Sequence, residues 1–418
     1  MRPQATGLRS RARVRPHTNE LNLGRKHKPD YWLLILSALL LSIGLVVVYA
    51  ISPALAVANH VSNTYYVGKQ MLAISLSVVA FIATAQIPLK WWRNAYKPLL
   101  VFAGIATLLA LVLPVNPAYP AHRWVRLGNG LSFQSVELVK FAVLIALAGF
   151  LAERLSHKLL SDGAKTFKPL IIAVVVVGII IAGPQKLHAQ SDLGSMGVMI
   201  AMAGTMCFVA GLPMRRLMLF AGILAIGVLL VILPSGYRRQ RLATFVHPES
   251  DCQNAGYQAC QALISVGSGG IAGEGLGSGA QAYGYLPEAA NDSIFAIFAE
   301  KFGFIGSVLL IGVFVGFFSR LKTIAERSTD DFSRLLVVGV LAWLSVQALI
   351  NIGAMLGLLP LKGITLPFIS YGGTSVVFIA AAVGLVFQVS RYTALSAPRA
   401  SELSGETPRS HRAYRSTL

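Results

Sequence analysis

Apolar residues in this chain gather in long, nearly unbroken runs rather than at helical or strand spacing. Ten runs stand out, over residues 32–51, 67–87, 98–115, 136–152, 169–183, 193–212, 217–233, 294–318, 335–359 and 376–389. An α-helix needs about 20 apolar residues to cross roughly 30 Å of hydrocarbon. The pattern therefore predicts an all-α polytopic membrane protein with ten transmembrane helices, spanning residues 31–389. The first run follows a basic segment of about thirty residues and is too long for the core of a signal peptide, so it is read as a retained anchor. Composition agrees: 55% of residues are hydrophobic and 13% charged, with a mean hydropathy of +0.64, whereas soluble domains carry about 25% charged residues. A soluble fold is excluded, and three cysteines exclude a disulfide-rich scaffold.

Charge orients the helices. The formal net charge is +19, from 36 Lys and Arg against 17 Asp and Glu. Segments 1–31, 88–97, 153–168, 213–216, 319–334 and 390–418 hold 26 of the basic residues. The opposite side holds eight, namely Lys69, Arg123, Arg126, Lys186, Arg238, Arg239, Arg241 and Lys362, and Lys140 and Lys301 fall within runs. The positive-inside rule then places both termini in the cytoplasm, and an even span count agrees by keeping them on one side. Trp32, Trp91 and Trp92 fall at the cytoplasmic boundaries, where amphipathic rings favour the headgroup region. The basic tails, 1–30 and 390–418, are poor in aliphatic residues and are expected to be disordered. Their charge is read as a topology signal with attraction to anionic lipid, and nucleic acid is not expected as a partner.

Short cytoplasmic loops leave no room for a soluble catalytic domain, so chemistry belongs in the membrane or outside it. The one long connection, 234–291, is extracytoplasmic on this reading and of a length that is usually functional. It carries Arg238-Arg239-Gln240-Arg241, a Gly-rich tract over 267–279 and Tyr285-Leu286-Pro287-Glu288, and leads to Asp292 at the mouth of the eighth run. Gly267-Ser268-Gly269-Gly270-Ile271-Ala272 fits the dinucleotide pattern, but that pattern needs a βαβ unit, so the reading is rejected. The glycines either let the backbone pack tightly or re-enter the membrane, or make anion contact through exposed N–H groups. Ionisable residues inside spans are costly and mark function by default. Glu137 and Lys140, three apart on one face, form either a structural ion pair or the wall of a polar cavity. Asp292 and Glu300 lie eight apart, roughly on one face at the start of the eighth run, and Asp292 followed by Ser293 also reads as a helix N-cap. Cys252 and Cys260, eight apart in the external connection, either bridge or stay as small unpaired residues, while Cys207 reads as a buried hydrophobe.

Several stretches carry a resemblance. Arg123-Trp124-Val125-Arg126-Leu127-Gly128, Phe133-Gln134-Ser135-Val136-Glu137-Leu138-Val139-Lys140 and Gln190-Ser191-Asp192-Leu193-Gly194-Ser195 resemble R-W-I-x-L-G, F-Q-P-S-E-x-x-K and Q-P-D-L-G-T of the SEDS family (FtsW, RodA and SpoVE). Leu286-Pro287-Glu288-Ala289-Ala290-Asn291-Asp292 and residues 351–375 extend the match in order over about 30–390. Lys362-Gly363-Ile364-Thr365-Leu366-Pro367 is more similar to the division type, FtsW, than to the elongation type, RodA. Four positions depart from the family pattern: Ser191 and Val136 replace a proline and, depending on alignment, a serine, Asn291 replaces a threonine, and Lys301 stands where an acid often follows Glu300.

The resemblance implies a peptidoglycan glycosyltransferase that polymerises lipid II, with inversion at the anomeric carbon, at the outer face of the bacterial cytoplasmic membrane, during septum formation. It implies Asp292 as general base. Glu137, Lys140, Arg123, Arg126, Arg239, Arg241, Glu300, Lys362 and Ser370 are the residues expected to bind substrate. No dedicated metal spacing exists, so Mg or Mn is expected only where the substrate pyrophosphate holds it. A class B penicillin-binding protein is the expected partner, because no Ser-x-x-Lys motif in an external domain is present for crosslinking; other divisome membrane proteins are expected beside it. A lipid II flippase, an elongation polymerase and a non-catalytic scaffold are the alternatives.

Overall fold

The computed structural model describes residues 27–113, 124–128, 131–183, 190–247 and 251–393. The expected tails fall outside these residues except for 27–30 and 390–393, and so does Arg123. The chain is helical nearly throughout: α1 (Tyr31–Asn59), α2 (Tyr65–Gln86), α3 (Leu89–Asn94), α4 (Tyr96–Val112), α5 (Ser135–Ser156), α6 (Lys168–Ala182), α7 (Leu193–Val209), α8 (Met214–Ile232), α9 (Gly236–Val246), α10 (Tyr257–Ser268), α11 (Ile294–Glu326), α12 (Asp331–Met355) and α13 (Gly373–Ser390). Every expected apolar run is one of these helices. Polar residues start them where the runs begin. Asp30 accepts from Leu33 N, Asp192 from Ser195 N and Asp330 from Ser333 N, each meeting an N–H that the first helical turn leaves open.

Among the described residues, seven helical segments are long and apolar enough to cross a membrane: α1, α2, α5, Gly163–Ala182, α11, α12 and α13. Of the other three runs, α4 and α7 are 17-residue helices and α8 has 19 residues. At 1.5 Å per residue these reach about 26–29 Å.

Burial separates an inner set from an outer one. In α5, α12 and α13, side chains such as Leu144, Ile145, Trp343 and Leu385 are fully enclosed. The outer helices do the reverse, exposing Val101 and Phe102 on α4, Ile179 on α6, Leu230 on α8 and Leu309 on α11. So much exposed apolar surface belongs against lipid rather than water. Small residues bring helices together: a Cβ on Gly384 of α13 would lie 2.1 Å from Thr84 Oγ1 on α2, and one on Gly44 of α1 would lie 2.7 Å from Phe368 O.

Three features depart from the sequence reading. The 234–291 connection, in which the sequence reading places no helix, carries α9 and α10. The fold is not wholly helical, because β1 (Trp124–Gly128) pairs antiparallel with β2 (Leu131–Gln134). Trp124, Val125 and Phe133 favour extended backbone, and a stretch this short between apolar runs carries no helical period. Trp92, expected in the headgroup region, is instead buried, edge-on to Phe141 at 5.7 Å, whereas Trp91 is exposed.

The helix ends sort into two layers. At the first, Arg320 Nε donates to Asp30 Oδ2 at 3.1 Å, Asp30 N to Ser390 Oγ at 3.0 Å, and His27 N to Arg391 O at 2.9 Å. This ties the start of α1 to the ends of α11 and α13. The start of α11, the end of α12 and the start of α13 meet at the other layer, where the long connection also lies. In that connection Cys252 and Cys260 are bonded, with their Cα atoms 5.7 Å apart.

Candidate active site

Asp292 sits just before α11, in backbone held from three sides. Asn351 on α12 donates from Nδ2 to both Asp292 O and Ile364 O at 2.7 Å. Ser370 Oγ donates to Asn291 O at 2.6 Å and accepts from Leu366 N at 2.7 Å, and Tyr371 N donates to Ala290 O at 2.8 Å. The 356–372 connection is thereby stitched to the residues leading into α11. Ser293, not Asp292, is the cap residue of α11, and its hydroxyl donates back to Pro287 O at 2.8 Å. The Asp292 carboxylate instead lines a small recess with Asn351, Lys362, Gly363 and Ile364. Gly363 has φ 61°, so glycine supplies the left-handed turn beside Asp292 Oδ2.

A polar ladder climbs one face of α12 toward this recess. Trp343, Gln347 and Asn351 follow at four-residue steps, which stack on one helical face. Gln347 Oε1 accepts from Trp343 Nε1 at 2.8 Å and from Lys140 Nζ at 3.3 Å. Its Nε2 donates to Thr365 O at 3.0 Å, and Thr365 Oγ1 lies 3.2 Å from Ser375 Oγ at the head of α13. Lys140 Nζ lies 2.7 Å from Glu137 Oε1 and 5.3 Å from the centre of the Trp343 ring. The Glu137 and Lys140 side chains are 5% and 2% exposed. The pair therefore lies inside the bundle, linked to the Asp292 loop through Gln347 and Thr365.

Cations gather on the other flank. Lys362 lines the recess itself, and burial together with Arg241 and Arg238 holds its ammonium pKa below the usual lysine range. Arg241 Nη1 donates to Leu361 O at 3.4 Å. Arg238 Nη2 donates to Ala182 O at 3.0 Å and Gly183 O at 3.2 Å. Arg239 is exposed on α9, and Arg126 lies on β1 in register with Ser132.

Glu300 takes a different place from the one its spacing suggested. α11 breaks at Gly303 (φ 65°, ψ −163°), and the Gly-rich tract fills the break. Glu274 N donates to Glu300 O, Gly275 N to Lys301 O, Phe304 N to Gly270 O and Ile305 N to Ile271 O, all at 2.9–3.1 Å. The helix's freed backbone groups are thus satisfied by protein, as irregular backbone at membrane depth requires. A Cβ on Gly269 would come within 2.0 Å of Ala299 O, and one on Gly273 within 2.2 Å of Lys301 O. Close packing is therefore the role of these glycines. Gln281 N donates to Glu300 Oε1 at 3.3 Å, and Lys301 Nζ donates to Ser278 O. Glu300 and Lys301 anchor the tract rather than line the Asp292 recess. Among the described residues, no three His, Cys, Asp or Glu side chains converge as a metal site would need.

Residues 31–395 match the FtsW/RodA/SpoVE family, described as cell cycle protein. The chain belongs to this family. It is 36% identical to "Probable peptidoglycan glycosyltransferase FtsW" of Saccharophagus degradans, over 86% of this chain and 92% of that one. It is 34% identical to Stage V sporulation protein E of Bacillus subtilis, over 88% and 99%. Among solved structures, the rod shape determining protein RodA of Thermus thermophilus superposes with a TM-score of 0.61 at 26% identity, covering 88% of this chain and 98% of that one. A chain from a structure on the coordination of polymerization and crosslinking by a peptidoglycan synthase complex superposes with a TM-score of 0.68 at 26% identity, over 87% and 98%.

Within this FtsW/RodA/SpoVE chain, sequence motifs located Asp292, Lys362, Ser370, Glu137 and Lys140, but not what connects them. No motif marks Gln347 or Trp343. The available signal was a lone glutamine inside an apolar run, four residues from a tryptophan and four from an asparagine.

Proposed function

We propose that the protein is a peptidoglycan glycosyltransferase that polymerises lipid II at the outer face of the cytoplasmic membrane, with Asp292 as general base. The observation that carries this reading is the Asp292 carboxylate in a recess shared with Lys362, its backbone gripped by Asn351. In the reaction the acceptor sugar hydroxyl gives its proton to Asp292 as its oxygen attacks the donor's anomeric carbon from the face opposite the leaving group. The bond from that carbon to the pyrophosphate breaks, and undecaprenyl pyrophosphate departs. Negative charge grows on the pyrophosphate, so nearby cations lower the barrier. In this reading Lys362 and Arg241 take that task, and Glu137, Lys140 and Gln347 keep the Thr365 segment in position. Were a divalent ion to take part, Asp292 would be the carboxylate among the described residues of the recess available to hold it, and the ion would supply charge relief on the pyrophosphate.

The ten helices all cross the membrane in this reading, with both termini cytoplasmic and the 234–291 connection outside. A bonded Cys252–Cys260 pair suits that oxidising side. Division-type relatives support septal synthesis with a class B penicillin-binding protein as crosslinking partner, alongside other divisome membrane proteins. The test is purified protein with lipid II in liposomes. Wild type should release undecaprenyl pyrophosphate and build glycan chains, and Asp292→Asn should cut polymerisation by about 10²–10⁴-fold without loss of folded protein. Relocation of lipid II with no polymer formed would replace the polymerase with a flippase.

A further inference from the structure

At the end of the bundle that carries the termini lies a second cleft, remote from Asp292. It opens between α3, the start of α4 and the last turns of α5, measures about 430 Å³, and is lined by Arg93, Asn94, Tyr96, Lys97, Gly149, Glu153 and His157. Nothing in the polymerase reading uses it. A volume of this order suits a small ligand or head group.

Its chemistry selects an anion. Among the described residues, neither Arg93 nor Lys97 has a carboxylate within ion-pair distance, and Lys97 only leans over its neighbour's Tyr96 ring at 5.9 Å. Arg93 and Lys97 against Glu153 leave one net positive charge, before any contribution from His157. That balance matches a single phosphodiester rather than a polyanion. Gly149 lies in the lining beside the Tyr96 ring, 3.8 Å from where its Cβ would stand.

The surroundings select a lipid. Trp91 beside the cleft is 54% exposed, as suits a ring at the headgroup level. Directly beyond Lys97, α4 turns Val101, Phe102, Ile105 and Leu108 outward, each at least half exposed. A ligand seated here meets cations at its head and an apolar helix face along its tail. Basic pockets between membrane helices on the cytoplasmic side hold phospholipid head groups in this way. We propose that this cleft is a binding site for an anionic phospholipid of the cytoplasmic leaflet, with the phosphodiester on Arg93 and Lys97 and the acyl chains along α4. The leaflet rests on the topology proposed above; the head-group chemistry does not.

The experiment is native mass spectrometry of the full-length protein released from nanodiscs containing phosphatidylglycerol and phosphatidylcholine. Wild type should retain phosphatidylglycerol in preference to phosphatidylcholine. Near a membrane surface each cation contributes about fivefold, so Arg93→Ala with Lys97→Ala should lower retention about thirtyfold. Glu153→Gln removes the opposing charge and should raise retention several-fold, a gain that misfolding cannot mimic. Equal retention of both lipids, or no response to either set of variants, would overturn the site. Displacement of the lipid by millimolar inorganic phosphate would reassign it to a free anion. Labelling of Ser156→Cys by an impermeant maleimide on intact cells would overturn the leaflet separately, leaving head-group binding to stand or fall on the lipid counts.

Discussion

Replacing Lys140 by methionine probes the interior of the site most directly. The ammonium and the Glu137 carboxylate are 2.7 Å apart, with side chains 2% and 5% exposed. At an effective dielectric near 20 that separation corresponds to a gross attraction of about 6 kcal/mol. Desolvation of two ions offsets much of this, so the pair adds little net stability when intact. Breaking it is another matter. Glu137 Oε2 has no hydrogen-bond partner among the described residues, so Lys140→Met leaves a buried carboxylate with no compensating charge. The expected loss is about 3–5 kcal/mol. Adding Glu137→Gln removes the stranded charge and should restore at least half of that loss. Unfolding in mixed micelles, followed by tryptophan fluorescence, measures all four corners of the cycle, with lipid II polymerisation assayed beside it. Activity should not return with stability, because Gln347 has lost Lys140 as a donor and its hold on Thr365 slackens. A Lys140→Met protein within about 1 kcal/mol of wild type, or a double variant no more stable than the single, would refute the burial argument. Activity recovering in step with stability would confine the pair to the scaffold.

Three further outcomes test other parts of the structure. Lys362 has a folded pKa held below its ordinary 10.5, first by burial and then by Arg241 and Arg238, so the unfolded chain binds this proton more tightly. Stability therefore rises with pH from the depressed value toward about 10.5, and Lys362→Met should be more stable than wild type at neutral pH, with the gain shrinking as pH rises; thermal denaturation across pH checks this. Polymerisation by Lys362→Met should fall nonetheless. Gly273→Ala, at φ 84° and facing Lys301 O, should cost more than about 1–2 kcal/mol in thermal stability, while Gly277→Ala, which meets nothing within 4 Å, serves as a near-neutral control. Alkylation of folded, non-reduced protein followed by mass spectrometry should leave Cys252 and Cys260 unlabelled, and two blocked thiols there would contradict the bond.

The chain's local pattern was enough to locate the ten apolar helices, though not α3, α9 and α10. Each apolar run became one, because in a membrane protein a long apolar stretch has few alternatives to satisfying its own backbone hydrogen bonds. The motif around Asp292 and the basic residues near it were equally readable, since residue type and order are local properties. Partnership was not. Spacing alone put Asp292 and Glu300 in one family of acids, yet the break at Gly303 and the folding back of the Gly-rich tract gave Glu300 to that tract. Spacing did pair Glu137 with Lys140, because three residues along a helix is a local distance. What it left out was Gln347, 207 residues from Lys140, which carries that pair's influence to Thr365. The choice between bridged and free cysteines also waited on the fold, which brings the two Cα atoms within bonding reach. Hydropathy and motif act over a few turns of helix. Which side chains share a cavity is decided by which helix faces meet, and that depends on packing between segments far apart in the chain.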